Sequence, residues 1–366
     1  MMDVKVITRH GPSNYGSLLQ SIATLEILGK LGVSAEIIDY QRKDERGLKA
    51  TLAQVRLKKA YAGNVLKKTL YVLVRFPMES MARARFDRMR TDYLRMTGRV
   101  NDTEGLAKLQ ADAFITGSDQ VWGPLYNGKY DPAYFLSFVR KGKKLAYAAS
   151  FGKTSFNDDT VAEYKHWLSL YDAIAVREDS AVKLLDEWGI RCKGQVLDPT
   201  LMLDGEQWSR MIRNEIKGDY ILVYQIHNDV NLNRYAMKLS RHTGVPLVRV
   251  SPHLHQARRG GKFVWCPDIS DFLAYVKNCR CLVTDSFHGT CFAINFNRPF
   301  IEVLPNTSTG SRNQSILKLT GLGNRIVKDF NDFSLFDEKI DYAKVNIILE
   351  RERSASLDIL RNLLGL

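Results

Sequence analysis

Two successive runs of alternating strand and helix patterns constrain the fold of this chain more than any other feature of its sequence. The first run opens with an apolar segment at residues 4–8, a turn rich in Gly, Pro, Ser and Asn, and a helical pattern at 17–31. Short apolar segments separated by amphipathic helices are typical of parallel βαβ units. The sequence therefore predicts an α/β protein whose parallel sheets are covered by helices.

The pattern continues through the first half of the chain and restarts in the second half. After residues 35–40, strands are predicted at 113–116, 144–149, 173–177 and 194–197, and helices at 158–170 and 180–188. Beyond a predicted linker at 204–218, strands are predicted at 220–226, 246–251, 281–284 and 300–303, and helices at 231–242, 268–278 and 287–297.

This pattern predicts two Rossmann-like, doubly wound domains that face a central cleft. We place them at residues 1–204 and 205–340, with a C-terminal helix at 341–366. A chain of 366 residues is long enough to bury two such cores. Because doubly wound folds bind ligands at the carboxyl ends of their strands, we expect the functional site in the cleft.

The positive charge of the chain is concentrated in one insertion in the first domain. Residues 42–99 contribute 11 of the 13 net positive charges. Apolar residues recur there at helical spacing over 66–76, and a second basic helix at 78–94 completes a predicted amphipathic hairpin. Two interpretations of this hairpin remain. It is either a pair of solvated helices that packs one face on the core, or a segment that attaches the protein to an anionic membrane surface. Nucleic-acid binding is disfavoured, because the insertion contains no RNP motif, zinc finger or regular heptad.

The sequence favours a cytoplasmic protein with reduced thiols, placed at the inner face of the membrane where the insertion binds lipid. Charges interrupt the N-terminal apolar run, which therefore does not resemble a secretory signal, and no stretch approaches the roughly 18 apolar residues of a membrane span. The five cysteines form no CxxC pair. We therefore expect neither disulfides nor structural zinc.

Candidate binding residues lie in the turns that follow the predicted strands. In GPSNYGS, Asn14 is suited to cap the next helix and the backbone at Gly16 to bind an anion, although an ordinary turn explains the motif equally well. In TGSDQVW, Asp119, Gln120 and Trp122 suit a sugar, because an aromatic face packs on the ring while polar groups bind its hydroxyls. The alternative for Trp122 is a place in the core.

Two further turns contain charged candidates. Arg177 ends a predicted strand and is suited to bind a carboxylate or phosphate through paired hydrogen bonds, or to pair with Glu178. In TDSFHG, His288 is predicted in the first turn of a helix at the carboxyl edge of the second sheet. An imidazole there is suited to exchange a proton near neutral pH. Ser286 is suited to cap the helix, and Gly289 permits close approach of a ligand.

These segments together resemble the polysaccharide pyruvyl transferase family over nearly the whole chain. The similarity is carried by the order of NYGSLLQ, TGSDQVW, AASFGK, AVREDS, VLDPTLML, TDSFHGTCFAINFNRPFI and GSRNQSILKLTGLGNR. The resemblance implies a two-domain fold like that of GT-B glycosyltransferases. It also implies transfer of pyruvate from phosphoenolpyruvate to two sugar hydroxyls as a ketal, on a bacterial surface polysaccharide or its lipid-linked precursor.

The resemblance also implies roles for the candidate residues. By its place in the motif, His288 is expected to be the general acid that protonates C3 of phosphoenolpyruvate. The residues expected around the donor anion are Arg177, Arg312, Ser286, Gly289, Asn14 and Gly16. Those expected around the acceptor sugar are Asp119, Gln120 and Trp122.

One position departs from the family pattern. Better-known members carry an arginine two places before the histidine, and here that place is Ser286. Lys153, Arg249 or Arg312 is expected to replace the missing cation, unless the donor differs from phosphoenolpyruvate. No metal or cofactor is expected besides this donor substrate, because the enol is already activated and no cluster of metal ligands is visible.

Two other functions compete with pyruvyl transfer. A nucleotide-sugar-dependent glycosyltransferase of the same GT-B-like shape would bind UDP or GDP sugars and would not need phosphoenolpyruvate. A non-catalytic protein that binds polysaccharide or a membrane surface would show no turnover, and its binding would not depend on His288. The sequence does not specify an oligomeric state.

Overall fold

The computed structural model describes residues 1–41, 47–56, 65–124, 130–305 and 310–366. Its strands are β1 (Asp3–Ile7), β2 (Ser34–Ile37), β3 (Ala113–Thr116), β4 (Lys143–Ala149), β5 (Ala173–Val176), β6 (Ile221–Tyr224), β7 (Leu247–Ser251), β8 (Lys262–Trp265), β9 (Cys281–Thr284) and β10 (Phe300–Glu302). Its α-helices are α1 (Tyr15–Lys30), α2 (Gly47–Arg56), α3 (Val65–Tyr93), α4 (Thr103–Ala107), α5 (Asp158–Leu168), α6 (Asp179–Glu187), α7 (Pro199–Met202), α8 (Gly205–Ser209), α9 (Val230–Thr243), α10 (Ile269–Asn278), α11 (Phe287–Asn295), α12 (Ser311–Leu319) and α13 (Tyr342–Leu364).

The strands form two separate five-stranded sheets. The first has the order β2-β1-β3-β4-β5 and the second the order β10-β9-β6-β7-β8, and every pairing between these strands is parallel. The strands β3, β6 and β9 are buried along their whole length, as expected for parallel strands covered on both faces. The predicted fold class, α/β with two doubly wound sheets, is confirmed.

Three local predictions differ from the structure. Residues 194–197 do not form a strand, and Gln195 makes a single parallel bridge with Val176. The edge strand β8 was not predicted, although Phe263, Val264 and Trp265 form a short apolar run. The strand has only four residues and is partly exposed. The predicted linker at 204–218 is partly helical, since a capping box between Asp204 and Gln207 starts α8.

The two halves of the chain pack directly on each other near the start of α1. The ring of Tyr15 stacks on that of Phe272 in α10, with centroids 4.2 Å apart and planes inclined by 3°. Its hydroxyl donates to the carbonyl of Pro267 at 2.5 Å. Burial raises the pKa of Tyr15 well above its ordinary value, so the phenol stays a neutral donor. This contact fixes the N-terminus of α1 against the second half.

The C-terminal helix α13 is anchored to both halves. The Tyr342 hydroxyl donates to the carbonyl of Arg298 in the second half. In the first half, the amide of Leu197 donates to Ser356 Oγ at 2.9 Å, and Lys143 Nζ donates to the carbonyl of Leu364 at 3.3 Å. The helix therefore braces the two halves against each other.

The basic insertion contains a helical hairpin, but not the predicted one. The helix α3 runs continuously through Pro77, so the predicted break between helices at 66–76 and 78–94 is wrong. A proline removes one intrahelical donor, which a helix of 29 residues tolerates at a partly exposed position. The hairpin is formed instead by α2 and α3, where Arg83 Nη1 donates to the carbonyl of Gly47 at 2.8 Å.

The C-terminal part of α3 belongs to the body of the protein. Phe86 packs on Tyr15 with ring centroids 5.0 Å apart, and Arg85 Nη1 donates to the carbonyl of Cys266 in the second half at 3.1 Å. The insertion's residues 42–46 and 57–64 lie outside the described residues. Among the residues that are described, no helix is long and apolar enough to cross a membrane.

Candidate active site

The structure places His288 in the first turn of α11, at the carboxyl end of β9. Ser286 is the N-cap of this helix, and its hydroxyl accepts a hydrogen bond from the amide of Gly289 at 3.2 Å. Such a cap satisfies one of the free amides at a helix start. The imidazole is 6% exposed, so it is nearly enclosed between the two halves of the chain.

A buried carboxylate from the first half faces the imidazole. Asp198 is the N-cap of α7, and its Oδ2 lies 3.7 Å from His288 Nε2, an ion-pair distance that is longer than a hydrogen bond. Arg177 Nη1 donates to the same oxygen at 2.7 Å. Although burial by itself would raise the pKa of Asp198, His288 and Arg177 hold it well below its ordinary value. The imidazole therefore faces an ionised carboxylate.

The histidine forms one wall of a polar cavity of about 170 Å³. The residues that line it come from both halves and are Arg9, Pro12, Asn14, Ser17, Asp119, Gln120, Ile226, His227, Ser286, Phe287, His288 and Arg312. The cavity therefore brings together an acid and base candidate, two guanidinium groups, a carboxylate and neutral polar groups between the facing carboxyl edges of the two sheets.

The carboxylate of Asp119 is held ionised at one wall of this cavity. Its Oδ2 accepts from Ser17 Oγ at 2.8 Å and its Oδ1 from the amide of Gln120 at 2.8 Å. Burial would raise its pKa, but the positive charges of His288, Arg9 and their neighbours lower it to about 2. Asp119 is therefore an acceptor of hydrogen bonds at neutral pH and a poor base.

Arg312 is the cation best placed to meet an anion in the cavity. It lies in the first turn of α12, with its Cζ 5.9 Å from the ring centroid of Phe287. Its Nε is buried without a hydrogen-bond partner among the described residues. Burial and the nearby positive charge of Arg177 lower its pKa to about 10, so it stays charged at neutral pH. An anion would supply the missing acceptor.

Arg177 lies behind the cavity and not in its lining. It is buried, its Nε donates to Glu178 at 3.1 Å and its Nη1 to Asp198. Burial would lower its pKa, but Glu178 and Asp198 raise it above the ordinary value. Its Nη2 is buried without a hydrogen-bond partner among the described residues. Because Arg177 does not line the cavity and two of its nitrogens bind carboxylates, the structure supports an indirect role, in which it holds Asp198 beside His288, over the predicted direct contact with the donor.

The chain is similar to known proteins in its sequence and in its fold. The family model of polysaccharide pyruvyl transferase matches residues 14–308, most of the chain and nine of the twelve residues that line the cavity. Arg9, Pro12 and Arg312 lie outside the matched range. The chain belongs to this family. The comparison with curated proteins gave no match.

Solved structures show the fold of this pyruvyl transferase family member. The UDP-GlcNAc 2-epimerase from Methanocaldococcus jannaschii is similar over 100% of both chains, with a TM-score of 0.55 and 14% identity. A putative UDP-N-acetylglucosamine 2-epimerase from Listeria monocytogenes is similar over 96% of this chain and 91% of its own, with a TM-score of 0.52 and 10% identity. At these identities the likeness concerns the fold alone, which is the predicted GT-B-like one.

The place of the family's arginine is occupied here by the helix cap Ser286. Of the three cations predicted to replace it, Arg312 lines the cavity. Lys153 is exposed outside the lining, and Arg249 is buried against the amide oxygens of Gln225 and Asn233. The cavity of this pyruvyl transferase family member thus has its positive charge on Arg312 and on Arg9, which the sequence analysis did not single out.

Trp122 does not belong to the site, contrary to its prediction as a platform for the acceptor sugar. It is fully buried, packs on Phe135 and Phe151 with ring centroids 5.9 and 5.0 Å apart, and donates from Nε1 to the carbonyl of Tyr134 at 3.2 Å. A sugar has no access to this ring. Its neighbours Asp119 and Gln120 do line the cavity, as predicted for the acceptor.

Three of the predicted anion-binding positions also have structural roles. Asn14 caps α1, and its Oδ1 accepts from the amides of Gly16 at 2.8 Å and Ser17 at 3.4 Å, which removes these donors from ligand binding. Gly16 itself lies against the imidazole of His288. A Cβ on Gly289 would lie 2.6 Å from Thr284 Oγ1, so packing requires this glycine rather than a ligand.

Several site residues were missed by the sequence analysis. Arg9 lies two residues after β1, and Asp198 opens a short helix in a DPT turn. A search for every charged residue near the end of a strand or bridge would have found both. His227 follows β6 in the same way. No group of three or more histidine, cysteine, aspartate or glutamate side chains suited to a metal ion occurs in the part of the chain that the structure describes.

Proposed function

We propose that this protein transfers the pyruvyl group of phosphoenolpyruvate to two hydroxyls of a sugar as a cyclic ketal, on a bacterial surface polysaccharide or its lipid-linked precursor. The observation that carries the proposal is that His288 shares one small cavity with Arg9 and Arg312. Phosphoenolpyruvate carries a phosphate and a carboxylate, and guanidinium groups match both through paired hydrogen bonds. Membership of a transferase family supports the same reaction.

His288 is the proton donor in this proposal. Its Nε2 faces the carboxylate of Asp198 at 3.7 Å, and its ring lines the cavity in which we place the donor. The ionised carboxylate orients the imidazole, as in other pairs of a buried aspartate and a catalytic histidine. Arg177 keeps that carboxylate ionised and in place.

The chemistry balances without a further reactant. The imidazolium proton adds to C3 of phosphoenolpyruvate, which becomes a methyl group, and the positive charge that develops at C2 is attacked by the first sugar hydroxyl. The C2–O bond to phosphate breaks and the second hydroxyl closes the ketal at C2. Of the two hydroxyl protons released, one restores the imidazolium and one leaves on inorganic phosphate.

The acceptor hydroxyls are placed near Asp119 and Gln120 in this proposal. Both side chains line the same cavity as His288. Because the carboxylate of Asp119 keeps its charge down to a pH of about 2, it acts as a hydrogen-bond acceptor that orients a hydroxyl rather than as a base that removes its proton.

Binding of phosphoenolpyruvate provides the first test. We expect phosphoenolpyruvate to raise the thermal unfolding temperature, because ligands that bind only the native state stabilise it by mass action. The variant Arg312→Gln should lose this shift. The control Lys153→Gln changes an exposed cation outside the cavity and should keep it.

The same experiment contradicts the proposal under two outcomes. One is a shift with UDP, GDP or CMP and none with phosphoenolpyruvate, which would support a nucleotide-sugar glycosyltransferase. The other is a shift with phosphoenolpyruvate that is equal in Arg312→Gln and in the wild type, which would place the donor elsewhere. Formation of a new methyl signal and of inorganic phosphate, both dependent on His288, then tests the reaction itself.

A further inference from the structure

A second and larger cavity lies at the turn that follows β7. It has a volume of about 420 Å³ and is formed between the N-terminal half of α3 and the turn that follows β7. Its apolar walls are Leu70, Val74 and Met78 from the helix and Pro252 and Leu254 from the turn. We call this cavity the apolar groove. Its volume is in the range of sites for small organic ligands.

The helix that forms the groove exposes an unusual amount of apolar surface beside basic residues. Leu66, Leu70 and Leu73 are 81%, 62% and 67% exposed. The groove also contains Lys67 and Arg258, both exposed. Contiguous exposed apolar side chains next to positive charge indicate a partner that is both apolar and anionic.

The carboxylate in the lining of the groove does not oppose an anion there. Glu79 accepts from Arg75 Nε at 2.6 Å and from Arg83 Nη2 at 3.2 Å. Its charge is therefore balanced by two guanidinium groups. The exposed Arg258 adds positive charge to the lining of the groove.

Two arginines near the end of β7 have neutral hydrogen-bond partners, and the negative charge of Asp285 also acts on Arg259. Arg259 Nη1 donates to Gln225 Oε1 at 2.6 Å and Arg249 Nη2 to Asn233 Oδ1 at 2.6 Å. The Nε of the buried Arg249 has no hydrogen-bond partner among the described residues. Burial and the charge of Arg259 lower the pKa of Arg249 to about 10. An anion at Arg259 would offset this repulsion.

The order of the strands places these features in a row. The loop after β9 carries His288, the loop after β6 carries Asn228, which accepts from Arg259, and the loop after β7 forms the groove. Strands β9, β6 and β7 are neighbours in the sheet, and neighbouring strands lie about 4.8 Å apart. The active site, the arginine pair and the groove therefore follow each other along one sheet edge within roughly 10 Å between the outer strands.

We propose that the apolar groove and Arg259 bind the carrier portion of the acceptor, an apolar chain joined to the sugar through phosphate. The chain lies in the groove between Leu70 and Leu254, the phosphate meets Arg259, and the sugar extends to His288. The position of the sugar rests on the proposed function, whereas binding of the chain and the phosphate does not. The proposed ligand is one lipid phosphate molecule bound in a concave groove, and not the surface of a bilayer.

Isothermal titration with farnesyl diphosphate, using the intact chain, tests this site. We expect saturable binding at least tenfold tighter than that of inorganic diphosphate or of farnesol. The variants Leu70→Glu and Arg259→Gln should each weaken it at least fivefold. Both positions are at least partly exposed, so the fold is expected to survive.

Two matched controls separate the groove from its surroundings. Leu73→Glu changes a leucine of the same helix that is as exposed as Leu70 but does not line the groove, and it should leave binding unchanged. Arg280→Gln removes an exposed arginine at the amino end of β9, on the opposite edge of the sheet, and should also have no effect.

Three outcomes would overturn the inference. They are the absence of saturable binding, affinity for inorganic diphosphate equal to that for farnesyl diphosphate, and equal losses in Leu73→Glu and Leu70→Glu. The third outcome, with competition by phosphatidylglycerol vesicles, would indicate adsorption of the helix to a membrane surface. If farnesyl diphosphate binds as expected while phosphoenolpyruvate gives no thermal shift, the lipid phosphate site is supported and the proposed donor is contradicted. If phosphoenolpyruvate gives the shift and farnesyl diphosphate does not bind, the donor is supported and the lipid phosphate site is contradicted.

Discussion

Gly16 at the start of α1 lies so close to His288 that a Cβ built on it would be 2.1 Å from Nδ1 of the imidazole. The two residues come from opposite halves of the chain, and the contact leaves no room for any other side chain. We expect Gly16→Ala to displace the imidazole and to reduce turnover at least tenfold, with a cost in stability of about 1–3 kcal/mol from overpacking. Steady-state kinetics and thermal unfolding measure the two effects.

The control for this substitution lies in the same helix. A Cβ on Gly29 meets nothing within 4 Å. Because alanine is the better helix former, Gly29→Ala should keep full activity and should stabilise the protein by up to about 1 kcal/mol. Equal activity of Gly16→Ala and Gly29→Ala would show that the position of the imidazole does not depend on Gly16.

The two arginines near Phe287 are expected to respond differently to the same substitution. Arg177→Gln leaves the buried carboxylates of Asp198 and Glu178 without their cation, which costs about 3–5 kcal/mol of unfolding free energy. Arg312→Gln removes a cation whose Nε has no partner, so stability should change little while the KM for the donor rises. Urea unfolding and donor kinetics on both variants separate these effects, and similar profiles for the two would contradict the assignment.

Substitution of Trp122 distinguishes a residue of the core from a residue of the binding site. We expect Trp122→Phe to lower the free energy of unfolding by roughly 1–3 kcal/mol, because it removes a hydrogen bond to Tyr134 and leaves a void in an aromatic cluster. The KM for the acceptor should stay within twofold of the wild type. An acceptor KM that rises tenfold at unchanged stability would restore the role as a sugar platform.

Glu302 makes stability depend on pH. Its carboxyl is buried beside Thr290 and Asn313, and burial raises its pKa from 4.5 to about 8. Between these values the folded state holds a proton that the unfolded state has released, so the free energy of unfolding falls by up to about 1.4 kcal/mol per pH unit as the pH rises. Above pH 8 this loss is complete, and below pH 4.5 it is absent.

The variant Glu302→Gln is neutral at every pH and keeps the shape of the side chain. We expect it to flatten the stability profile between about pH 5 and pH 8, measured by urea unfolding. Glu104→Gln, at an exposed position, should leave the slope unchanged. A slope in Glu302→Gln as steep as in the wild type would assign the pH dependence to another group.

Much of the site could be predicted because its residues occupy turns with local signatures. Ser286 and Asn14 are helix caps in sequence and in structure, and His288 lies in the helical turn where its motif predicts it. Trp122 could not be assigned in the same way, since a tryptophan after a strand is equally compatible with a sugar platform and with a core. Its burial depends on Phe135 and Phe151, which reach it only in the folded chain.

The sequence by itself determined the two parallel sheets, most of their helices and the sheet edges that carry the candidate site, because periodicity and capping are properties of neighbouring residues. Only the tertiary structure decided that Asp198 and Gly16 meet His288, that Arg9 and Arg312 share its cavity, and that Arg177 stands behind it. These contacts join the carboxyl edges of two sheets that fold from separate halves of the chain. No local sequence pattern predicts these contacts between the two sheet edges, since they depend on how the two halves pack.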